Sequence, residues 1–192
     1  MPIALITGYL AGCVSFAHIL ARQPREARHL NKHGAGASTV YWLRGPRVAI
    51  VVLLGDFAKA VIPVVLVRWL ISPEAALLTG LGVVLGHNLP LFYGFKGGRG
   101  VAPGAGVLTA LTPGAAGLGL AVAAGSFVVA RNTLIASATG FGANVFFAWL
   151  FGAPPELVIY AAALPLGIAA YAWIARRSVS LGERWRSTFL RS

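Results

Sequence analysis

Acidic residues are scarce in this chain: only 5 Asp and Glu stand among 192 residues, against 16 Lys and Arg. Charge of either sign is thin, at 11% of residues, where a soluble domain carries about 25%. Cysteine occurs once, as Cys13, so an intrachain disulfide is impossible and a disulfide-stapled module is excluded. What fills the gap is apolar: 57% of residues are hydrophobic and the mean hydropathy is +0.76. Such long apolar runs exclude a cytosolic enzyme and a disordered tail, and point to an all-α integral membrane protein. The basic residues interrupt those runs and form no continuous surface, which removes nucleic-acid binding.

Seven apolar runs are legible, at roughly 3–21, 47–69, 75–93, 101–112, 114–130, 133–152 and 155–174. Crossing the hydrocarbon takes about 20 residues, so the fourth run is short and reads as a re-entrant or broken segment. Cys13 lies within the first run and reads as a small packing residue. The N-terminus lacks a basic leader region and a small-residue cleavage site, so the first run reads as a retained span. Pro46, Pro103, Pro113 and the Pro154-Pro155 pair mark junctions. Of the 16 basic residues, 14 follow odd-numbered runs, which places the N-terminus outside and the C-terminal tail in the cytoplasm. Residues 1–192 read as a single domain without internal repeats.

Ionisable residues inside a span are costly and draw attention to themselves. Asp56 and Lys59 are three apart on one helical face, suited either to an internal ion pair or to a polar cavity. His18 and His87 read more simply as packing residues, and His29 with His33 lacks a third metal ligand.

Two glycine clusters carry the chemistry. The first runs from Gly86 to Gly106, seven glycines in 21 residues with Lys96 and Arg99 embedded, and a helix is expected to start near Val101. Glycine lets backbone N–H groups approach an anion, a helix start adds a positive dipole end, and Lys96 and Arg99 supply charge. It is not a P-loop, because the Gly-Lys-Ser/Thr ending is missing. The second cluster, Lys32-His33-Gly34-Ala35-Gly36-Ala37-Ser38, lies in the first loop on the same side, so both suit one anion site at the membrane surface.

These residues resemble the bacterial acyl-phosphate:glycerol-3-phosphate acyltransferase family, over essentially the whole chain. Gly86-His87-Asn88-Leu89-Pro90 followed by Phe95 to Ala102 is similar to the family's Gly-His-x-x-Pro and Phe-Lys-Gly-Gly-Lys-Gly-Val-Ala signature. Asp56 and Lys59 resemble its Asp-x-x-Lys, and Ser15 a serine of its first span. Departures are concentrated elsewhere. The first motif, Ser-Gly-Asn-x-Gly-Ala-Thr-Asn-Val-x-Arg in the family, keeps Gly36, Ala37 and Val40 but has Lys32, Gly34 and Trp42 at the Ser, Asn and Arg positions. Arg44 is the candidate substitute for that arginine, although a helix turns it roughly 160° from position 42. Arg177 and Ser180 stand where the family has His-x-x-Asn, and Leu134 where a serine follows Arg131, with Ser137 nearby.

The resemblance implies a seven-span bacterial inner-membrane enzyme that acylates glycerol 3-phosphate from acyl phosphate, making lysophosphatidic acid for phospholipid synthesis. It implies no metal, no cofactor and no covalent acyl-enzyme. On it, Arg99, Lys96 and Ser38 are the catalytic candidates. Gly97, Gly98, Gly100, His87, Lys32, Gly36, Arg44, Arg177 and Ser180 are the substrate-binding candidates. The alternative is a diverged or non-catalytic homologue that binds a phosphorylated lipid precursor or regulates a partner. A transporter is disfavoured, because no span carries a row of polar pore residues.

Overall fold

A computed structural model describes residues 1–189, with side chains described through Ala175. The side chains of Arg177 and Ser180 therefore lie outside the described residues. All regular structure among them is helical. In chain order the elements are α1 (Pro2–Cys13), α2 (Phe16–Ile19), α3 (Pro24–His33), α4 (Ala37–Arg44) and α5 (Pro46–Leu70). There follow α6 (Pro73–Asn88), a 3-10 turn (Leu91–Tyr93), α7 (Val101–Leu111), α8 (Pro113–Ala130), α9 (Thr133–Leu150) and α10 (Pro155–Phe189). Proline opens α1, α3, α5, α6, α8 and α10, where its missing N–H costs nothing. Pro103 is no junction: it is the third residue of α7. Among the described residues, six helical segments are long and apolar enough to cross a membrane.

Two features depart from a simple reading of the apolar runs. The first run is broken at Val14 and Ser15, whose extended backbones separate α1 from α2. The first loop is also structured, with α3 and α4 seated on a small core of Ala17, Leu30, Ala35, Val40 and Val52.

Glycine sets the closest helix contact. A Cβ on Gly8 or Gly12 of α1 would strike the backbone of Thr79 or Val83. One on Gly82 or Gly86 of α6 would strike the backbone of Leu5 or Tyr9. Both helices thus carry a Gly-x-x-x-Gly face, the pattern that lets membrane helices approach without a hydrophobic drive between them. The α6, α7 and α10 helices close around Val64, Val83, Val107, Leu108 and Ala161. Ile3, Leu54, Ile62, Val129 and Leu166 remain exposed, a belt suited to lipid.

The short α7 is about 16 Å long, half the hydrocarbon thickness of about 30 Å. Its far end meets the far end of α5, because Arg68 Nη1 donates to the carbonyls of Ala110 at 2.8 Å and Leu111 at 2.9 Å.

Candidate functional site

The glycine loop is built by turns that only special residues tolerate. Gly94 at φ 62° and Phe95 at φ 59° are both left-handed, and the Phe95 N–H donates back to Pro90 O at 3.0 Å. Gly100, at φ 84°, is the N-cap of α7 and needs the freedom of glycine there. A Cβ on it would lie 2.7 Å from Asn88 Oδ1, a buried oxygen without a hydrogen-bond partner.

The two glycine clusters meet. Ala35 N–H donates to Gly97 O at 3.0 Å, joining the first loop to the glycine loop. The N-termini of α4 at Ala37 and of α7 at Val101 start on either side of that bond. Two positive dipole ends beside two glycine-rich segments make a place for an anion. Lys96 and Arg99 are exposed on this loop, and Ser38 and Lys32 are exposed on the first. Gly36 caps α4. Gly98 differs from the expectation that its N–H faces a ligand, for it donates to His87 O at 3.1 Å.

Below the loop lies a buried polar cluster. Lys59 Nζ is 2.8 Å from Asp56 Oδ1, 3.0 Å from His87 Nδ1 and 2.6 Å from the Val14 carbonyl. Asp56 and Lys59 thus form the internal ion pair, and the break in the first span supplies a third partner. A second chain lies just beyond that break. His18 Nδ1 sits 2.8 Å from Ser15 Oγ, its Nε2 sits 2.9 Å from Asn31 Oδ1, and its ring stacks on Tyr93 at 4.2 Å. Tyr171 adds a hydrogen bond from its hydroxyl to Asn88 O at 2.8 Å. The sequence singled out Ser15 by the family resemblance and His18 as a packing residue, without pairing them, and carried no signal for Asn31, Tyr93 or Tyr171.

Arg44, at the end of α4, is held by neighbouring elements. Its Nη1 donates to Leu20 O at 2.6 Å and pairs with Glu26 at 3.8 Å, which ties the end of α4 to α2 and α3. Glu26 also accepts the Arg22 N–H at 2.7 Å, and that bond, with the nearby Arg44, holds its carboxyl below the usual carboxylate range. The rings of His29 and His33 lie 4.3 Å apart, and no cluster of three metal-ligating groups occurs among the described residues.

Residues 2–180 match a family model described as glycerol-3-phosphate acyltransferase. The chain belongs to that family. It is 39% identical to the glycerol-3-phosphate acyltransferase of Pseudomonas syringae pv. tomato over 132 residues, which span 67% of this chain and 69% of that one. The enzyme of that name from Halalkalibacterium halodurans is 39% identical over 140 residues, covering 69% and 67%. The fold is similar to crystal structures of PlsY (YgiH), described as an integral membrane glycerol 3-phosphate acyltransferase. Its glycerol 3-phosphate form gives a TM-score of 0.80 at 27% identity, covering 94% of this chain and 92% of that one. Its lysophosphatidic acid form gives the same TM-score at 28% identity. The chain is an integral membrane protein of the acyltransferase class.

Proposed function

We propose that this acyltransferase moves the acyl group of an acyl phosphate to the 1-hydroxyl of glycerol 3-phosphate. The ester bond to the glycerol oxygen forms as the bond from the acyl carbon to the phosphoryl oxygen breaks. Lysophosphatidic acid and inorganic phosphate are released, and the hydroxyl proton leaves to water or to the phosphate. A mixed anhydride already has a good leaving group, so positioning and charge stabilisation can carry the rate without metal or nucleophile.

One observation carries the reading: the bond from Ala35 to Gly97 gathers both glycine clusters at the starts of α4 and α7. In that arrangement Arg99 and Lys96 bind the donor phosphate with the N–H groups of Gly97 and Gly100. Ser38, Gly36 and Lys32 flank it from the first loop. His87 and the buried pair support the loop, and the family resemblance adds Arg177 and Ser180 as substrate-binding candidates. The protein lies in the bacterial plasma membrane with its N-terminus outside and this site on the cytoplasmic side, where 14 of the 16 basic residues fall.

The commitment of Arg44 to Leu20 and Glu26 favours a second reading, because it leaves the Trp42 position without a replacement arginine. That reading is a diverged homologue that binds a phosphorylated lipid precursor without turnover. Expression in a bacterium depleted of its own glycerol-3-phosphate acyltransferase separates the two. Restored growth is expected. No growth, with the protein folded in the membrane, would favour the binding-only reading.

A further inference from the structure

Most of the charge on α3 has no part in the reading above, yet it is sorted in a way that membrane topology does not require. We propose that α3 and α4 form a docking surface for acidic phospholipid headgroups of the leaflet on their side of the membrane. The proposal uses only the membrane placement of the chain and is independent of the acyl-transfer reading.

The sorting is visible within one helix. Arg25, Arg28 and Lys32 follow one another at steps of three and four residues, so they share one face of α3. That face lies opposite Leu30, which is buried in the small core with Val40 and Val52. Glu26, the one acid of the helix, lies on the Leu30 side. It accepts the Arg22 N–H and pairs with Arg44, so no negative charge is left among the cations. Arg22, Arg25, Arg28 and Lys32 are exposed, as is Arg47 at the start of α5. The other acids among the described residues are distant: Asp56 is buried, and Glu74 and Glu156 open α6 and α10 at the far end of the spans. The positive-inside pattern puts cations on one side of a membrane; it neither turns the acid inward nor gathers cations on one helical face.

Two aromatic rings decide what kind of partner fits. Trp42 is 85% exposed and Tyr41 50%, and their rings meet edge to face at 5.6 Å. Exposed Trp and Tyr rings belong where hydrocarbon gives way to headgroups. At the other end of α5 stands Trp69, 83% exposed. The 25 residues of α5 are about 37 Å long, so Trp42 and Trp69 bracket a hydrocarbon core of about 30 Å. A soluble acidic partner would meet the same cations but would leave the rings bare. Anionic headgroups with their acyl chains satisfy both. Each Lys or Arg at an anionic surface strengthens association about fivefold, so a few cations suffice to select the lipids beside the rings.

The test uses the full chain in nanodiscs of phosphatidylglycerol and phosphatidylcholine in equal amounts. Bromine, which quenches tryptophan on contact, is placed near the top of the acyl chains of one lipid or the other. The Trp42 signal is taken by difference from Trp42→Phe, and the Trp69 signal from Trp69→Phe. Brominated phosphatidylglycerol should quench Trp42 about threefold more than brominated phosphatidylcholine. At Trp69 the two should quench alike, since Arg68 beside it is spent on the carbonyls of α7. Salt at about 1 M should remove the preference at Trp42. Arg25→Gln with Arg28→Gln should remove about half of it or more, and Arg131→Gln, in another loop, should leave it unchanged.

Equal quenching of Trp42 by the two lipids would overturn the proposal. So would a preference that survives salt, one that Trp69 shares, or one that a folded double variant keeps in full. The salt series and the Trp69 comparison need no change in α3, so they decide the matter even where the double variant fails to fold.

Discussion

Arg99 and Arg44 are both cations near the first loop and the glycine loop, and they sit in different surroundings. Arg99 is exposed on the glycine loop, whereas Arg44 Nη1 spends its hydrogen bond on Leu20 O. Arg99→Ala should therefore lower kcat/KM for acyl phosphate about 10- to 100-fold, the cost of one charge-assisted hydrogen bond. Arg44→Ala should show first in the unfolding midpoint, with a loss of about 2 kcal/mol measured by thermal melting in detergent. At this scale the sequence was only partly readable. Asp56 and Lys59 announce themselves as charges three apart in an apolar run, and they do pair at 2.8 Å. The link from His18 to Asn31 joins residues 13 apart in different helices, and no periodicity encodes it. The charge of Arg44 is visible in the sequence, and its bond to the Leu20 carbonyl is not.

Among the elements, α1 and α6 show why the site holds its shape. Gly86 lies directly before His87, so the close approach of these two helices also sets the height of the His87 ring. Gly86→Leu places a side chain against the backbone of Tyr9, which cannot step aside as a flexible side chain would. A loss of at least about 1–3 kcal/mol in stability is expected, with activity falling in the fraction that still folds. Gly-x-x-x-Gly spacing on both helices was present in the sequence. Its pairing was not, since which two faces meet depends on the whole bundle. The start of α7 at Val101 was legible from the glycines before it, and its shortness from the length of the apolar run. The break at Val14 and Ser15 was not, because neither residue is a helix breaker. It has one partner far along the chain, Lys59, which takes the Val14 carbonyl, and one three residues on, His18, which meets the Ser15 hydroxyl.

For the whole molecule, the surplus of positive charge resolves into two parts. Most of it follows the positive-inside pattern, and a smaller part, Lys96, Arg99 and Lys32, lies on the two glycine-rich segments that meet through Ala35 and Gly97. Fold class and family were readable from composition, run lengths and the glycine signature. That the first loop and the glycine loop come together was expected from their shared side of the membrane; the bond from Ala35 to Gly97 and the break in the first span required the three-dimensional arrangement. The central claim, that this assembly activates an acyl phosphate toward glycerol 3-phosphate, has a direct measurement. The purified protein in lipid nanodiscs is given both substrates, and lysophosphatidic acid and inorganic phosphate are followed together. Equal amounts of the two products, formed only when glycerol 3-phosphate is present, are predicted. Retained binding of acyl phosphate with no lysophosphatidic acid formed would contradict it.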